Sequence, residues 1–130
     1  DEIKELIVPV VKRTSIGGGN IDPEAMDETT DTIWLPALIE LIDTNANTKI
    51  YAAEGTTYEY YKSGSDVEAA KKRRIKTNSG GYAQRYWIRT PVPYSSNEYW
   101  MISQLGGGIS TYASYATHGV AFGFCIGKVE

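Results

Sequence analysis

The sequence predicts an α+β domain: two helices followed by a mainly antiparallel C-terminal sheet. Two helical segments, one opening after Pro36 and one after Ser65, come first. Four aromatic and β-branched runs follow, at Arg85 to Thr90, Tyr99 to Leu105, Ile109 to Tyr115 and Val120 to Ile126. Gly106-Gly107-Gly108 stands between the middle two, where a hairpin must turn. At 130 residues the chain is one domain, long enough to bury a core without metals or disulfides.

Ile7-Val8-Pro9-Val10-Val11 reads as a short strand. Pro9 has no N–H to give to a ladder, which favours an edge or a strand start. Gly17-Gly18-Gly19-Asn20 is a turn. Asp22-Pro23-Glu24-Ala25 has the composition of a helix start, with Asp as cap and Pro in the first turn. Thr29 to Thr32 is polar and reads as loop. Residues 1–30 are thus a strand and linker-like segment packed on the domain formed by residues 31–130.

Ile33-Trp34-Leu35 reads as a brief strand, and Pro36 can take the first helical position of a helix from Ala37 to Ile42. Leu38, Leu41 and Ile42 share one face of it. Asp43-Thr44-Asn45-Ala46-Asn47 ends it. Tyr51 to Tyr61 is open between strand and helix. Ser65 and Glu68 have capping-box spacing at the start of the second helix, and Glu68 and Lys72 have the favourable i,i+4 order.

Net charge is -3, which disfavours nucleic acid as the main partner, since phosphate binding needs a basic field. Lys71-Lys72-Arg73-Arg74-Ile75-Lys76 is the exception, and it reads as a solvated helix end complementing the negative pole of the dipole. No apolar run reaches the length of a membrane span, so no insertion is expected. The chain opens Asp1-Glu2-Ile3-Lys4 without an initiator Met, and a piece cut from a longer protein is the expectation.

Catalytic chemistry finds few candidates. Cys125 is the single cysteine, set between Phe124 and Ile126, and reads as a buried small hydrophobe. His118 is the single histidine and reads as a loop residue before Gly119. There is no Gly-x-Ser-x-Gly elbow, phosphate loop or His-Glu-x-x-His. The carboxylates from Asp27 to Asp31 read as a solvated loop rather than a metal site. No catalytic residue, metal ligand or cofactor is assigned.

Binding chemistry finds more. The chain holds 10 Tyr, and a phenol combines flat apolar area with a polar tip at low entropy cost. Tyr94-Ser95-Ser96-Asn97-Glu98-Tyr99 and Ser110-Thr111-Tyr112-Ala113-Ser114-Tyr115 crowd one hairpin and its approach. Tyr94, Ser95, Asn97, Tyr99, Tyr112, Ser114 and Tyr115 are the candidate ligand contacts. Trp87, Phe122 and Phe124 read as core, because a continuous aromatic strand normally packs inside. Arg89 reads as a structural bond-maker to backbone carbonyls or a carboxylate.

Trp87-Ile88-Arg89-Thr90-Pro91 and Gly119-Val120-Ala121-Phe122-Gly123-Phe124-Cys125-Ile126 carry a resemblance. The chain resembles a domain family of unknown function with a Trp-Leu-Arg-Ser-Pro signature and a Gly-Val-x-Pro-x-Phe C-terminal strand. Thr32-Ile33-Trp34-Leu35 with Leu38-Ile39-Glu40, and Gly55-Thr56-Thr57-Tyr58-Glu59-Tyr60-Tyr61 before Arg74-Ile75-Lys76, are similar landmarks in the same order. Thr90 replaces the usual Ser, and no Pro stands near Ala121 or Phe122. Trp87, Arg89, Pro91, Gly119, Phe122 and Phe124 are the signature positions matched.

The resemblance implies a C-type-lectin-like fold, shared with formylglycine-generating enzymes and with variable receptor-binding proteins. Formylglycine-generating sites hold copper with paired cysteines, and this chain has one. The family occurs in phage structural proteins and gut bacterial surface proteins. The expectation is therefore a non-catalytic recognition domain at a virion or bacterial cell surface, with a host-surface glycan or protein as partner. The alternative is an assembly domain whose Tyr-rich face joins copies into a homo-oligomer.

Overall fold

The computed structural model of the chain describes residues 2–44, 48–115 and 117–127. Among them are four helices, α1 (Glu2–Leu6), α2 (Leu38–Leu41), α3 (Lys49–Ala52) and α4 (Val67–Arg74). Ten strands accompany them: β1 (Ile7–Val8), β2 (Val10–Ser15), β3 (Met26–Asp31), β4 (Lys76–Thr77), β5 (Ala83–Gln84), β6 (Tyr86–Pro91), β7 (Glu98–Ile102), β8 (Gly108–Tyr112), β9 (Gly119–Val120) and β10 (Cys125–Ile126). The architecture is α+β with mainly antiparallel pairing. None of the described helices is long and apolar enough to cross a membrane.

The central sheet has the order β8-β7-β6-β9, antiparallel except for the parallel β6–β9 pair. The Gly106-Gly107-Gly108 turn joins β7 to β8, as its composition requires. Gly106 has φ +80 and its carbonyl accepts from Arg74 Nε at 2.7 Å. A Cβ there would sit 2.0 Å from the Lys71 carbonyl oxygen, so this approach of α4 to the turn needs glycine.

Alternation along β6 sends Tyr86, Ile88 and Thr90 inward. Tyr86 and Ile88 pack with Leu38, Leu41 and Ile42 of the α2 region and with Ile102 of β7 to form the core. Trp100 joins from β7 and donates from Nε1 to the Tyr51 hydroxyl at 3.2 Å. The apolar face expected on the first helix is thus the core face, although α2 is a single short turn. Residues 45–47, expected to end this helix, lie outside the described residues.

Residues 2–30 pack into the same body. β2 pairs with β3 over six residues from Val10↔Asp31 to Ser15↔Met26. Thr29 to Asp31 is therefore strand rather than loop: Thr29 and Thr30 are exposed and Asp31 half-buried, but the backbone finds a ladder that composition does not announce. Pro9 splits the expected first strand into β1 and β2, and β1 pairs with β10 near the other end of the chain. Asp22 heads a turn, not a helix, with its carboxylate accepting from Glu24 N–H at 2.9 Å. In α4 the cap is Asp66, which accepts from Ala69 N–H at 2.9 Å, rather than Ser65.

Two further expectations are corrected by packing. Residues 120–126 are not one strand buried on both faces. Ala121, Gly123 and Cys125 are half-buried while Val120, Phe122, Phe124 and Ile126 are exposed. The inner side is already filled: Trp34 bridges to Gly123 through paired backbone bonds, and its indole lies where a Gly123 Cβ would be 3.1 Å away. Only small residues fit there, so the period of two turns Phe122 and Phe124 outward. Trp87, also expected in the core, is half-buried on the opposite face from Tyr86 and packs on His118 at 5.2 Å.

Arg74 is the other correction. It belongs to the basic run read as a solvated helix end, yet it is 3% exposed. Its guanidinium donates to the Gly106 and Leu41 carbonyls, and its own carbonyl accepts from the Tyr86 hydroxyl at 2.8 Å.

Candidate functional site

The densest polar cluster surrounds Glu40. An acid set inside the apolar run Ala37-Leu38-Ile39-Glu40-Leu41-Ile42 must find partners when the run is buried, and Glu40 is 3% exposed. Its Oε2 accepts from the Ala37 N–H at 2.9 Å, half of a capping box at the start of α2. Arg89 grips the same carboxylate with two prongs, Nη1 to Oε2 at 2.7 Å and Nη2 to Oε1 at 3.1 Å. Lys12 Nζ completes the set at 2.7 Å from Oε1.

Arg89 has no donor to spare for a ligand. It also donates to the carbonyls of Arg13, Leu35 and Glu54, tying β2, the α2 entry and the segment after α3 to β6. Lys12 is equally engaged. It donates to the Tyr58 hydroxyl at 2.9 Å and lies 4.3 Å from the Trp34 ring centroid. Burial alone would lower the Lys12 ammonium, but its bonds to Glu40 and Tyr58 outweigh this and raise it above its ordinary value. Burial pushes Glu40 up, and Arg89, Lys12 and the Ala37 N–H together pull it below the usual carboxylate range. Both therefore stay ionised near neutrality.

Glu54, 2% exposed, sits beside this cluster. It accepts from the Ser15 N–H and hydroxyl, each at 2.8 Å, and from the Thr90 hydroxyl. Burial raises it, only partly offset by Thr90 and Ser15. Thr90 in turn accepts from the Leu38 N–H at 2.8 Å. Lys12 and Glu54 carried no sequence assignment, and Glu40 and Tyr58 entered only as landmarks of the resemblance. The legible signal was the lone acid within an apolar run.

The candidate ligand contacts divide into two groups. Tyr99 pairs with Thr111 and Tyr112 pairs with Glu98. Paired residues share a face and neighbours alternate, so Tyr99 and Tyr112 project from opposite faces of the sheet. Tyr99 lines an open groove of about 500 Å³ with Leu35, Trp87, Ile88, Arg89, Ala113 and Val120.

Tyr94, Ser95 and Asn97 lie on the loop from β6 to β7. Tyr94 is 78% exposed, and Ser95 hydrogen-bonds Asn97 at 3.0 Å. The Tyr51 phenol is raised mainly by burial, with Tyr94 contributing, which brings this loop near the Tyr51–Trp100 pair. The Gly17–Asn20 turn docks onto it, Gly18 N–H donating to the Ser95 carbonyl and Gly19 N–H to that of Pro93. Ala113 N–H donates to the Asn97 carbonyl at 2.9 Å, which places exposed Ser114 beside the same loop. The side chain of Tyr115 lies outside the described residues.

His118 and Cys125 belong to different neighbourhoods. The His118 ring lies on Trp87 and is lowered by burial and by Arg85, whereas Cys125 faces Val8 in the β1–β10 pair. Among the described residues no group of three or more His, Cys, Asp or Glu is placed to hold a metal ion.

The family described as "Domain of unknown function (DUF6273)" matches residues 1–128. Neither a curated protein nor a solved structure matches the chain.

Proposed function

We propose that this chain, which belongs to the DUF6273 family, is a non-catalytic recognition domain of C-type-lectin-like fold that binds a host-surface glycan or protein. Its setting would be a phage tail or head fibre or a bacterial surface protein. The observation that carries the reading is the groove between Trp87, Tyr99 and Val120. It is open, mostly apolar and floored by rings that present flat area for stacking. The Tyr94-to-Asn97 loop adds adaptable hydrogen-bonding groups at the end of the same sheet. Arg89, the one charged group in the groove wall, is occupied by internal partners.

The lectin-like part of the proposal rests on the ordered sequence landmarks and on an α+β architecture with a mainly antiparallel central sheet. The virion or cell-surface setting rests on the sequence resemblance. Glycan and protein arrays probed with the wild type, the Trp87→Ala/Tyr99→Ala double variant and the Tyr94→Ala/Tyr112→Ala double variant test the function. Loss of a specific signal in either variant, with an unchanged circular dichroism spectrum, supports recognition. Equal signals from all three proteins count against both surfaces.

One observation favours assembly as a second reading. Val120, Phe122, Phe124 and Ile126 are exposed at 64%, 59%, 42% and 60% along a single stretch, an apolar edge that a second copy would cover. Sedimentation of the wild type and a Phe122→Ser/Phe124→Ser variant separates the two. A concentration-independent oligomer lost in the variant favours assembly.

A further inference from the structure

A second, smaller cavity lies on the other side of the β6 start from the Trp87–Tyr99 groove, and the two share no lining residue. It holds about 240 Å³, small for a ligand pocket and matched to a single ring. Trp34 and Tyr86, 8% and 2% exposed, are its floor. Tyr58, Tyr61 and Phe122 wall it, and Lys76 reaches its mouth. Outward-turned Phe122 thus acquires a place: it is one wall of an aromatic recess.

The polar side chains of the recess leave donors for an incoming group. The Tyr58 hydroxyl accepts from both Lys12 Nζ at 2.9 Å and Trp34 Nε1 at 3.2 Å. Its two lone pairs are therefore used and its proton remains to be given, with no acceptor among the described residues. Lys76 Nζ is 3.4 Å from the Tyr61 hydroxyl and 6.0 Å from that ring's centroid. Among the described residues it has no carboxylate within ion-pair distance, unlike Lys12, Lys62 and Lys71. An ammonium has three donors, so Lys76 keeps donors free for an incoming acceptor.

Aromatic walls ask for a ring with an apolar face, and converging donors with an unpaired cation ask for an anionic acceptor on it. We propose that the recess bounded by Tyr58, Tyr61, Lys76 and Phe122 binds a carboxylated pyranose, an acidic sugar residue of the uronic acid class. The ring lies against Phe122 and Tyr61, and the carboxylate meets Lys76 and the Tyr58 hydroxyl. The site is separate from the groove and stands or falls without it.

The test is titration of the intact chain, followed by protein NMR, with glucuronate, glucose and benzoate. The proteins are the wild type and the Lys76→Met, Phe122→Ala and Trp87→Ala/Tyr99→Ala variants. Glucuronate is expected to bind about tenfold more tightly than glucose, the worth of one charge-assisted hydrogen bond. Lys76→Met should erase that preference, Phe122→Ala should weaken both sugars at the recess, and the groove variant should leave the Lys76-dependent preference for glucuronate unchanged. Lys76 and Phe122 are exposed, so both variants keep the fold, and their spectra verify it. Glucuronate binding no better than glucose, or equally well to Lys76→Met, overturns the proposal. So does benzoate binding where glucuronate does not, which would assign the recess to aromatic acids.

Discussion

Arg89 and Glu40 stand 49 positions apart in sequence and meet in a two-pronged ion pair, with Nη1–Oε2 at 2.7 Å and Nη2–Oε1 at 3.1 Å. Through this contact the signature strand β6 is fastened to the start of α2. The remaining Arg89 donors reach the carbonyls of three other segments. The pair and Lys12 form a triad whose members satisfy one another away from water.

Such a triad adds little against a well-packed apolar alternative, but breaking it is costly, because the partners stay buried and unpaired. Glu40→Gln should therefore lose about 3–5 kcal/mol of unfolding free energy. Urea denaturation followed by tryptophan fluorescence measures it. A loss below about 1 kcal/mol would mean that Lys12 and Arg89 find water or other partners.

The same carboxylate sets an acid dependence. Glu40 is lower in the folded chain than its ordinary 4.5, so its contribution is complete above 4.5 and is lost as pH falls through the folded value. Glu54 is raised, so its contribution has the opposite sign: it is present below 4.5 and is lost as pH rises through its folded value. Glu40→Gln should flatten the fall of stability below pH 4.5, and Glu54→Gln should remove a loss of stability that sets in as pH rises above 4.5. Denaturation midpoints between neutral and strongly acid buffers give both slopes, and parallel curves for all three proteins would contradict the assignment.

Gly106→Ala combines a left-handed backbone, φ +80, with a Cβ 2.0 Å from the Lys71 carbonyl oxygen. Backbone strain of this kind costs about 1–3 kcal/mol by itself, and the collision adds to it. Gly18→Ala, at φ +62 with nothing within 4 Å, should cost only the strain. Thermal melts of the two variants should rank them in that order.

Ile88→Ala should cost about 2–5 kcal/mol, since Ile88 is fully enclosed between α2 and β7. Phe122→Ser should cost less than about 1 kcal/mol despite the larger side chain, because Phe122 is mostly in solvent. Equal losses would place Phe122 inside.

The fold class was legible because its signals are local. Gly106-Gly107-Gly108 turns a hairpin by its own backbone freedom, and the β-branched and aromatic run from Tyr86 to Thr90 favours an extended chain. The candidate site was legible only in part. Tyr94, Ser95 and Asn97 share a loop because they are consecutive, but Tyr99 and Tyr112 separate because strand register, fixed by pairing across a turn, sends them to opposite faces.

By itself, then, the sequence determined an α+β chain, a C-terminal hairpin rich in phenols and an arginine in a signature strand. Tertiary structure alone decided which residues lost contact with water. Trp34 claimed the space under Gly123 and so turned Phe122 and Phe124 outward. β2 gave polar β3 a ladder. Lys12, Glu40 and Arg89 were gathered from three distant segments into one cluster. Burial and ion pairing depend on which surfaces meet, and no local window of the chain holds that information.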